Sequence, residues 1–231
     1  MKNEIVITNN KLSKTEEQAI LETGIGSLED FFDNFQYLCF VLDGSGSMSS
    51  PMMNGETPKF QLQKKVVLKY ADDKIGVKAI GMKIGIVEFS DRAEVRLDGC
   101  SDLSTIRAAI ARIYNIGGGT HAARGLKSAM AMLRKGRKGS EELIPRIILT
   151  SDGAVHDLYD CYECAEAAKK SEIVIDTIYI GEPDDLTHNE QLRRISEITG
   201  GVHEMITNEA EFEQKFLKVA ARQITAGSMV F

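Results

Sequence analysis

Five oxygen-bearing side chains stand in three separate stretches, each at the end of an apolar run or at the start of a helical pattern. The stretch "DGSGS" carries Asp43, Ser45 and Ser47, Thr120 follows three glycines in "GGGTHAARGL", and Asp152 stands in "LTSDG". Two carboxylates and three hydroxyls form an all-oxygen set, which suits Mg²⁺, Mn²⁺ or Ca²⁺ better than zinc or copper. Because hydroxyl ligands are neutral, an ion held by them would still attract an acidic group from outside.

The elements that must position these residues follow from hydrophobic periodicity. Continuous apolar runs, typical of strands covered on both faces of a parallel sheet, occur at 36–42, 83–89, 146–150 and 173–180, with a shorter candidate at 201–206. The run 93–98 follows its predecessor too closely for a crossover helix, so we expect an antiparallel edge strand. Helical patterns lie at 57–73, 101–114, 121–134, 157–170, 189–199 and 209–226. This alternation predicts an α/β fold with a doubly wound sheet.

The predicted sheet gives the three stretches a common place. Loops at the carboxyl ends of adjacent central strands share one crevice in an open α/β sheet. If the strands that begin at Gln36 and Arg146 are neighbours, Asp43 and Asp152 meet in that crevice. The glycines beside them allow the backbone to bend tightly and to approach an ion closely.

The three motifs together resemble a known family. D-x-S-x-S, a distant Thr after Gly-Gly and a later S-D-G are similar to the metal-ion-dependent adhesion site of the von Willebrand factor type A family. The resemblance extends from Gln36 to Ala226, and its one departure is Ser151, where the family usually has Thr. It implies a Rossmann-like open sheet of six strands, the third of them antiparallel, with helices on both faces.

The resemblance also implies a role for each of the five side chains. Ser45 and Ser47 would ligate the ion directly, and Thr120 would do so directly or through water. Asp43 and Asp152 would act mainly through waters and through hydrogen bonds to the serines. The expected cofactor is Mg²⁺, with Mn²⁺ or Ca²⁺ as alternatives. The remaining position on the ion would be filled by water or by an Asp or Glu of a protein partner.

Catalytic interpretations of the same residues fit their spacing less well. A phosphatase of the haloacid dehalogenase type expects a second acid two residues after Asp43, where Ser45 stands. A serine hydrolase expects G-x-S-x-G, and a phosphate-binding loop expects a Lys-Ser/Thr ending, which these stretches do not supply. We therefore expect no catalytic residues and no enzymatic activity. The alternative is a metal-assisted phosphohydrolase that uses the same oxygen ligands.

Two other features have ordinary explanations beside functional ones. Cys161 and Cys164 have a metal-like spacing but fall inside a helical pattern without a second pair, which favours plain helix positions. Met48, Met52 and Met53 either surround the site with adaptable apolar contacts or pack on their own domain.

Composition narrows the classes of partner. The 231 residues include 28 Lys and Arg against 34 Asp and Glu, a formal net charge of −6. This balance argues against nucleic acid as a partner, because phosphate binding needs a basic face. The sequence shows neither a signal-peptide core nor an apolar stretch of membrane-spanning length, and its four cysteines are too sparse for a disulfide scaffold. We therefore expect a cytoplasmic protein with no membrane partner.

One domain is the most economical organisation. Residues 35–231 would form the von Willebrand type A domain, after a helical extension over 1–34 in which two capping-box patterns predict short helices. We expect an intracellular adaptor or regulatory subunit whose metal ion coordinates an acidic residue of a protein partner. Related stand-alone bacterial proteins often work beside ATPases, kinases or stress-response components, so the resemblance suggests a complex that contains one of these.

Overall fold

The strands and helices alternate along the chain as the periodicity predicts. The computed structural model describes residues 36–52, 55–75, 82–114, 117–137, 144–153 and 155–222. The strands are β1 (Gln36–Asp43), β2 (Lys83–Phe89), β3 (Ala93–Cys100), β4 (Ile144–Ser151), β5 (Val174–Ile180) and β6 (His203–Ile206). The helices are α1 (Lys59–Ile75), α2 (Leu103–Ala111), α3 (Ala122–Arg137), α4 (Leu158–Lys169), α5 (Leu186–Thr199) and α6 (Glu209–Ala220). The extension predicted over 1–34 lies outside the described residues, as does the predicted end of the last helix.

The six strands form one sheet in the order β3-β2-β1-β4-β5-β6. Every neighbouring pair is parallel except β2 and β3, which pair antiparallel at the edge. This arrangement confirms the predicted Rossmann-like fold with one antiparallel edge strand. The strand order reverses between β1 and β4, where Leu42 lies opposite Thr150. The carboxyl ends of these two strands therefore open into the crevice at the switch point of the sheet.

Helices cover both faces of the sheet, which explains why the central strands are continuously apolar. The core on one face is formed with α1, α2 and α6, and the core on the other face with α3, α4 and α5. Every residue of β1 and of β5 is buried, as expected of strands enclosed between two helical layers. In the described part of the chain, no helix has both the length and the apolar character needed to cross a bilayer.

Side-chain caps fix the starts of three helices. Asp102, Asp185 and Asn208 each accept a hydrogen bond from the backbone N–H three residues later, which satisfies a free donor of the first helical turn. The predicted start of α5 at residue 189 was wrong by three residues. The helix begins at Leu186 because Asp185 caps it.

Candidate functional site

Asp43 ends β1 and shapes the loop that follows. Its carboxylate is buried and accepts hydrogen bonds from the backbone N–H of Ser45 (2.8 Å) and from the hydroxyl of Ser151 (2.6 Å). One oxygen thus holds the loop after β1, and the other holds the end of the neighbouring strand β4. Asp43 therefore positions Ser45 and does not face solvent.

The two serines and Asp152 lie in direct contact. The Oγ atoms of Ser45 and Ser47 are 3.1 Å apart, and the Ser47 hydroxyl donates to Asp152 Oδ1 at 2.7 Å. Ser45 is buried, whereas Ser47 is exposed at the mouth of the crevice. The structure thus connects Asp43, Ser45, Ser47 and Asp152, four of the five predicted side chains, through short hydrogen bonds between the ends of β1 and β4.

Thr120 is placed by its loop, which docks beside the serines. The Gly46 N–H donates to the Gly118 carbonyl (3.2 Å), and the Thr120 carbonyl accepts from the His156 N–H (2.9 Å). Gly118 has a φ of +84°, and a Cβ there would collide with the carboxylate of Asp91. The positive φ therefore favours glycine at this position, and a larger residue would also have to displace the Asp91 carboxylate. The Thr120 side chain is buried in this loop.

Electrostatics in the crevice are dominated by two buried carboxylates. Lys59 Nζ lies 2.8 Å from Asp152 Oδ2, and the Asp152 side chain is fully buried. Burial, and secondarily the charge of Asp152, raises the pKa of Asp43 to about 6, although hydrogen bonds from Ser151 and Ser45 lower it. Within the residues that the structure describes, Lys59 is the cation that pairs with this carboxylate cluster.

Lys59 and Gln63 are site residues that the sequence analysis missed. The buried amide of Gln63 donates to the Asp43 carbonyl (3.1 Å) and accepts from the Thr150 hydroxyl, so it connects α1 to both central strands. The sequence nevertheless contained a feature that could have pointed to each of these two residues. Gln63 stands four residues before Val67 on the buried face of α1, and Lys59 places a cation at a helix start, where the helix dipole disfavours it.

Thr57 lies two residues before α1, and threonine is a residue type that often caps a helix start. Its hydroxyl instead donates to Glu209 Oε1 (2.6 Å), and the N–H groups of Glu56 and Thr57 donate to Glu209 Oε2. The hydrogen bond from the Thr57 hydroxyl is the main cause that lowers the pKa of Glu209. This carboxylate ties the start of α1 to the start of α6 across 152 positions of sequence, which no local pattern could predict.

The sulfur-containing side chains pack within the domain. Met48 and Met52 are buried in the core, and Met53 lies outside the described residues. Cys161 and Cys164 are free, buried positions of α4, as predicted. Among the described residues, no three His, Cys, Asp or Glu side chains converge as a metal-binding group. A metal ion in the crevice would therefore depend on the hydroxyl oxygens.

Comparison with known families bears directly on the fold that holds this crevice. A model of the von Willebrand factor type A domain matches residues 38–154, which make up just over half of the chain and include all five predicted site residues. The chain belongs to the von Willebrand factor type A domain family. Among curated proteins, none matches the sequence of this von Willebrand type A domain.

Solved structures share the architecture of this von Willebrand type A domain at low sequence identity. An aerotolerance-related membrane protein from Bacteroides fragilis is 17% identical, with a TM-score of 0.64 over 81% of this chain and 100% of that one. The SpRpn10 VWA domain is 17% identical, with a TM-score of 0.66 over 83% and 99%. The vWF domain of the type V pili tip protein Mfa5 from Porphyromonas gingivalis is 14% identical, with a TM-score of 0.64 over 83% and 98%. At these identities the likeness establishes the fold alone.

Proposed function

We propose that this von Willebrand type A domain binds a protein partner through a divalent cation in the crevice. Ser45, Ser47 and Thr120 would hold the ion, with Asp43 and Asp152 behind them, and Mg²⁺ is the favoured ion over Mn²⁺ or Ca²⁺. The observation that carries the proposal is the short hydrogen-bonded contact among Ser45, Ser47 and Asp152 at the switch point of the sheet. Ligands bind at this point in open α/β sheets.

The spacing of the donor oxygens supports the proposal. Two oxygens bound at about 2.1 Å to an octahedral ion, in adjacent positions, lie about 3.0 Å apart. The Oγ atoms of Ser45 and Ser47 are 3.1 Å apart, so both could ligate one ion without rearrangement of the loop. All of the donors are hard oxygens, which suits Mg²⁺ or Mn²⁺.

The charge balance of the crevice supports the same function. Two carboxylates, Asp43 and Asp152, are buried within hydrogen-bonding reach of the serines, and Lys59 supplies one positive charge among the described residues. Buried charges are disfavoured unless they are paired or bound to a metal. A bound divalent ion would supply the missing positive charge and would favour the ionised form of Asp43.

The exposure of Ser47 supports an acidic protein partner over a catalytic role. An ion beside Ser47 would lie at the surface, and its neutral hydroxyl ligands would leave it attractive to a carboxylate of another protein. Both oxygens of Asp43 are engaged by Ser45 and Ser151, so Asp43 is held as a positioning group and is not poised as a nucleophile. We therefore propose an adaptor or regulatory role without enzymatic activity.

Thermal unfolding in Mg²⁺ and in EDTA tests the metal dependence. An ion at a hundred times its Kd stabilises the folded state by about 2.7 kcal/mol, which should raise the melting temperature by roughly 5–10 °C for a chain of this size. Ser47→Ala should lose most of this difference. Ser49→Ala is the matched control, since the Ser49 hydroxyl donates to the Gly46 carbonyl in the same turn and should keep the difference. Equal melting temperatures of the unsubstituted protein in Mg²⁺ and in EDTA would contradict the proposal.

An array of matched peptides tests the acidic partner. Each peptide would be present in a Glu or Asp form and in a Gln or Asn form, and binding would be measured in Mg²⁺ and in EDTA. We expect binding to acidic members only, only in Mg²⁺, and not with Ser47→Ala. Binding that survives EDTA, or that does not distinguish Glu from Gln, would contradict coordination through the ion.

A further inference from the structure

Lys59 occupies a place that its helix does not favour. It is the first residue of α1, and the first turn of α1 contains no acidic residue that could offset it. The partial positive charge of a helix N-terminus disfavours a cation at this position. The side chain of Lys59 is nevertheless only 14% exposed and points its ammonium at Asp152. The carboxylate, and not the helix, therefore determines where this ammonium lies.

Fixed contacts of the neighbouring backbone deliver Lys59 to the crevice. The Lys59 N–H donates to the Ser50 carbonyl (3.1 Å), and Pro58 forms a bridge with Pro51, so the start of α1 is pinned to the loop that carries the serines. One turn later, Gln63 anchors α1 to the Asp43 carbonyl. The ammonium is thus held beside Asp152 by the same loop that would hold the ion.

One oxygen of Asp152 faces the proposed ion site, and the other faces Lys59. Oδ1 accepts from the hydroxyl of Ser47, a proposed ligand of the ion, and Oδ2 pairs with Lys59 Nζ. An ammonium and a divalent ion on either side of one carboxylate repel each other and compete for its negative charge. The strength of this competition is large here because Asp152 is fully buried and poorly screened by water.

We propose that Lys59 is a built-in counter-cation of Asp152 that stabilises the metal-free crevice and weakens its affinity for a divalent ion. The inference rests on the proposed metal-dependent function and adds a residue that sets how readily the site fills. Without Lys59, two buried carboxylates would face each other with no cationic partner among the described residues. With Lys59, the domain remains folded when no ion is bound, and it loads only at a higher ion concentration.

Calorimetric titration with Mn²⁺, combined with thermal unfolding in EDTA, tests this role. Lys59→Met should bind Mn²⁺ at least about tenfold more tightly than the unsubstituted protein, because the competing charge is gone. The same variant should melt about 5–10 °C lower in EDTA, because the buried Asp152 carboxylate loses its cationic partner. Lys59→Arg keeps the charge and should resemble the unsubstituted protein in both measurements.

A second lysine of the same helix provides the matched control. Lys69 pairs with Asp73 at the exposed surface (3.4 Å), so Lys69→Met should change neither the Mn²⁺ affinity nor the melting temperature in EDTA. If Lys59→Met does not fold in EDTA, Lys59→Gln replaces it, since its amide still donates a hydrogen bond to Asp152 without the charge.

The outcomes separate this inference from the proposed function. Equal Mn²⁺ affinities of the unsubstituted protein and Lys59→Met would overturn the role of Lys59 and leave the metal site in place. Unchanged melting of Lys59→Met in EDTA would also overturn it. Absence of Mn²⁺ binding in every variant would overturn both the metal-dependent function and the competition.

Discussion

Strand β4 has a buried charged cluster at each end: the lower cluster at its amino end (Arg146, Asp176 and Arg222) and the upper cluster at its carboxyl end (Asp43, Asp152 and Lys59). The two clusters differ in how their charges are balanced. At its amino end, Arg146 is fully buried and donates to Asp176 (2.6 Å) and to the carbonyls of Val219, Ala220 and Arg222 near the end of α6. The Arg222 guanidinium donates to the other oxygen of Asp176 at 3.0 Å. Two guanidinium groups thus surround one carboxylate, and the spare donors satisfy carbonyls that a helix end leaves free.

The cluster at the carboxyl end of β4 has the opposite balance. Asp43 and Asp152 place two carboxylates in the crevice against the single ammonium of Lys59 within the described chain. The neighbouring hydroxyls of Ser45 and Ser47 lead from this cluster to the surface. The lower cluster has more positive than negative groups and serves the fold, whereas the upper cluster has two carboxylates for one described ammonium and reaches the surface through Ser47. This difference is the physical basis for assigning binding to the upper end.

Arg146→Met should break the lower cluster with the largest effect on stability. Asp176 would lose its closest partner, and carbonyls near the end of α6 would each lose one donor. We expect a loss of about 3–5 kcal/mol in the free energy of unfolding, measured by urea titration. The loss should be the same in Mg²⁺ and in EDTA, because the lower cluster is already saturated.

Arg194→Met provides the control for Arg146→Met. Arg194 pairs with Glu197 at the exposed surface (3.9 Å), and its substitution should leave stability unchanged. A loss for Arg146→Met that depends strongly on Mg²⁺ would contradict the separation of the two clusters.

His203 adds a third case to the comparison of the two clusters, because it is a partly buried ionisable group whose ring nitrogens contact neutral side chains. Its ring nitrogens contact Thr177 Oγ1 (2.8 Å) and Asn189 Oδ1 (2.7 Å). Burial, and secondarily the charge of Arg193, lowers the pKa of His203 to about 4. The unfolded chain therefore takes up this proton first, and the folded state loses stability as the pH falls from about 6.5 towards 4.

The expected effect of this titration is a loss of about 2 kcal/mol at pH 4.5 relative to pH 7.5. Unfolding titrations of the unsubstituted protein and of His203→Gln at both pH values would isolate it, because the raised pKa of Asp43 acts in the opposite direction in both proteins. His203→Gln should have a correspondingly smaller difference between the two pH values, since glutamine does not titrate. An unchanged difference would contradict the assignment of this acid sensitivity to His203.

A series of glycine substitutions tests whether the loops around the upper cluster require the backbone conformations of their glycines. Gly118→Ala should reduce stability by about 1–2 kcal/mol, because φ is +84° and the new methyl group meets Asp91. Gly117→Ala should have a smaller effect, since its φ is +75° but its Cβ would have open space. Gly153→Ala is the control with neither constraint and should be neutral. Equal effects at all three positions would contradict the proposed docking of the Thr120 loop.

Periodicity predicted the fold well because each element obeys a local rule. Strands enclosed on both faces are continuously apolar, and the short connection before Ala93 excluded a crossover helix. Helix starts were predicted less well where a cap lies outside the apolar pattern, as at Asp185. The end of the last predicted helix, at residue 226, is beyond the described residues.

The sequence predicted the ligand residues of the candidate site, but it did not predict the charged side chains that pair with them. Asp43, Ser45, Ser47 and Asp152 carry chemistry that sequence spacing reveals, and the fold places these four side chains in contact. Lys59 reaches Asp152 across 93 positions of sequence, and such a pairing exists only once α1 is packed on the sheet. For the same reason, the sequence analysis predicted Arg146 as the start of a strand and missed its buried charge pairing.

A crystal structure in Mn²⁺, with anomalous diffraction at the manganese edge, tests the central claim most directly. We expect one peak in the crevice, about 2.1–2.2 Å from the Oγ atoms of both Ser45 and Ser47, and no peak there in crystals of Ser47→Ala. The Arg146 cluster should show no peak in either crystal. A crevice without anomalous density at saturating Mn²⁺, or an ion that does not contact the two serines, would contradict the account.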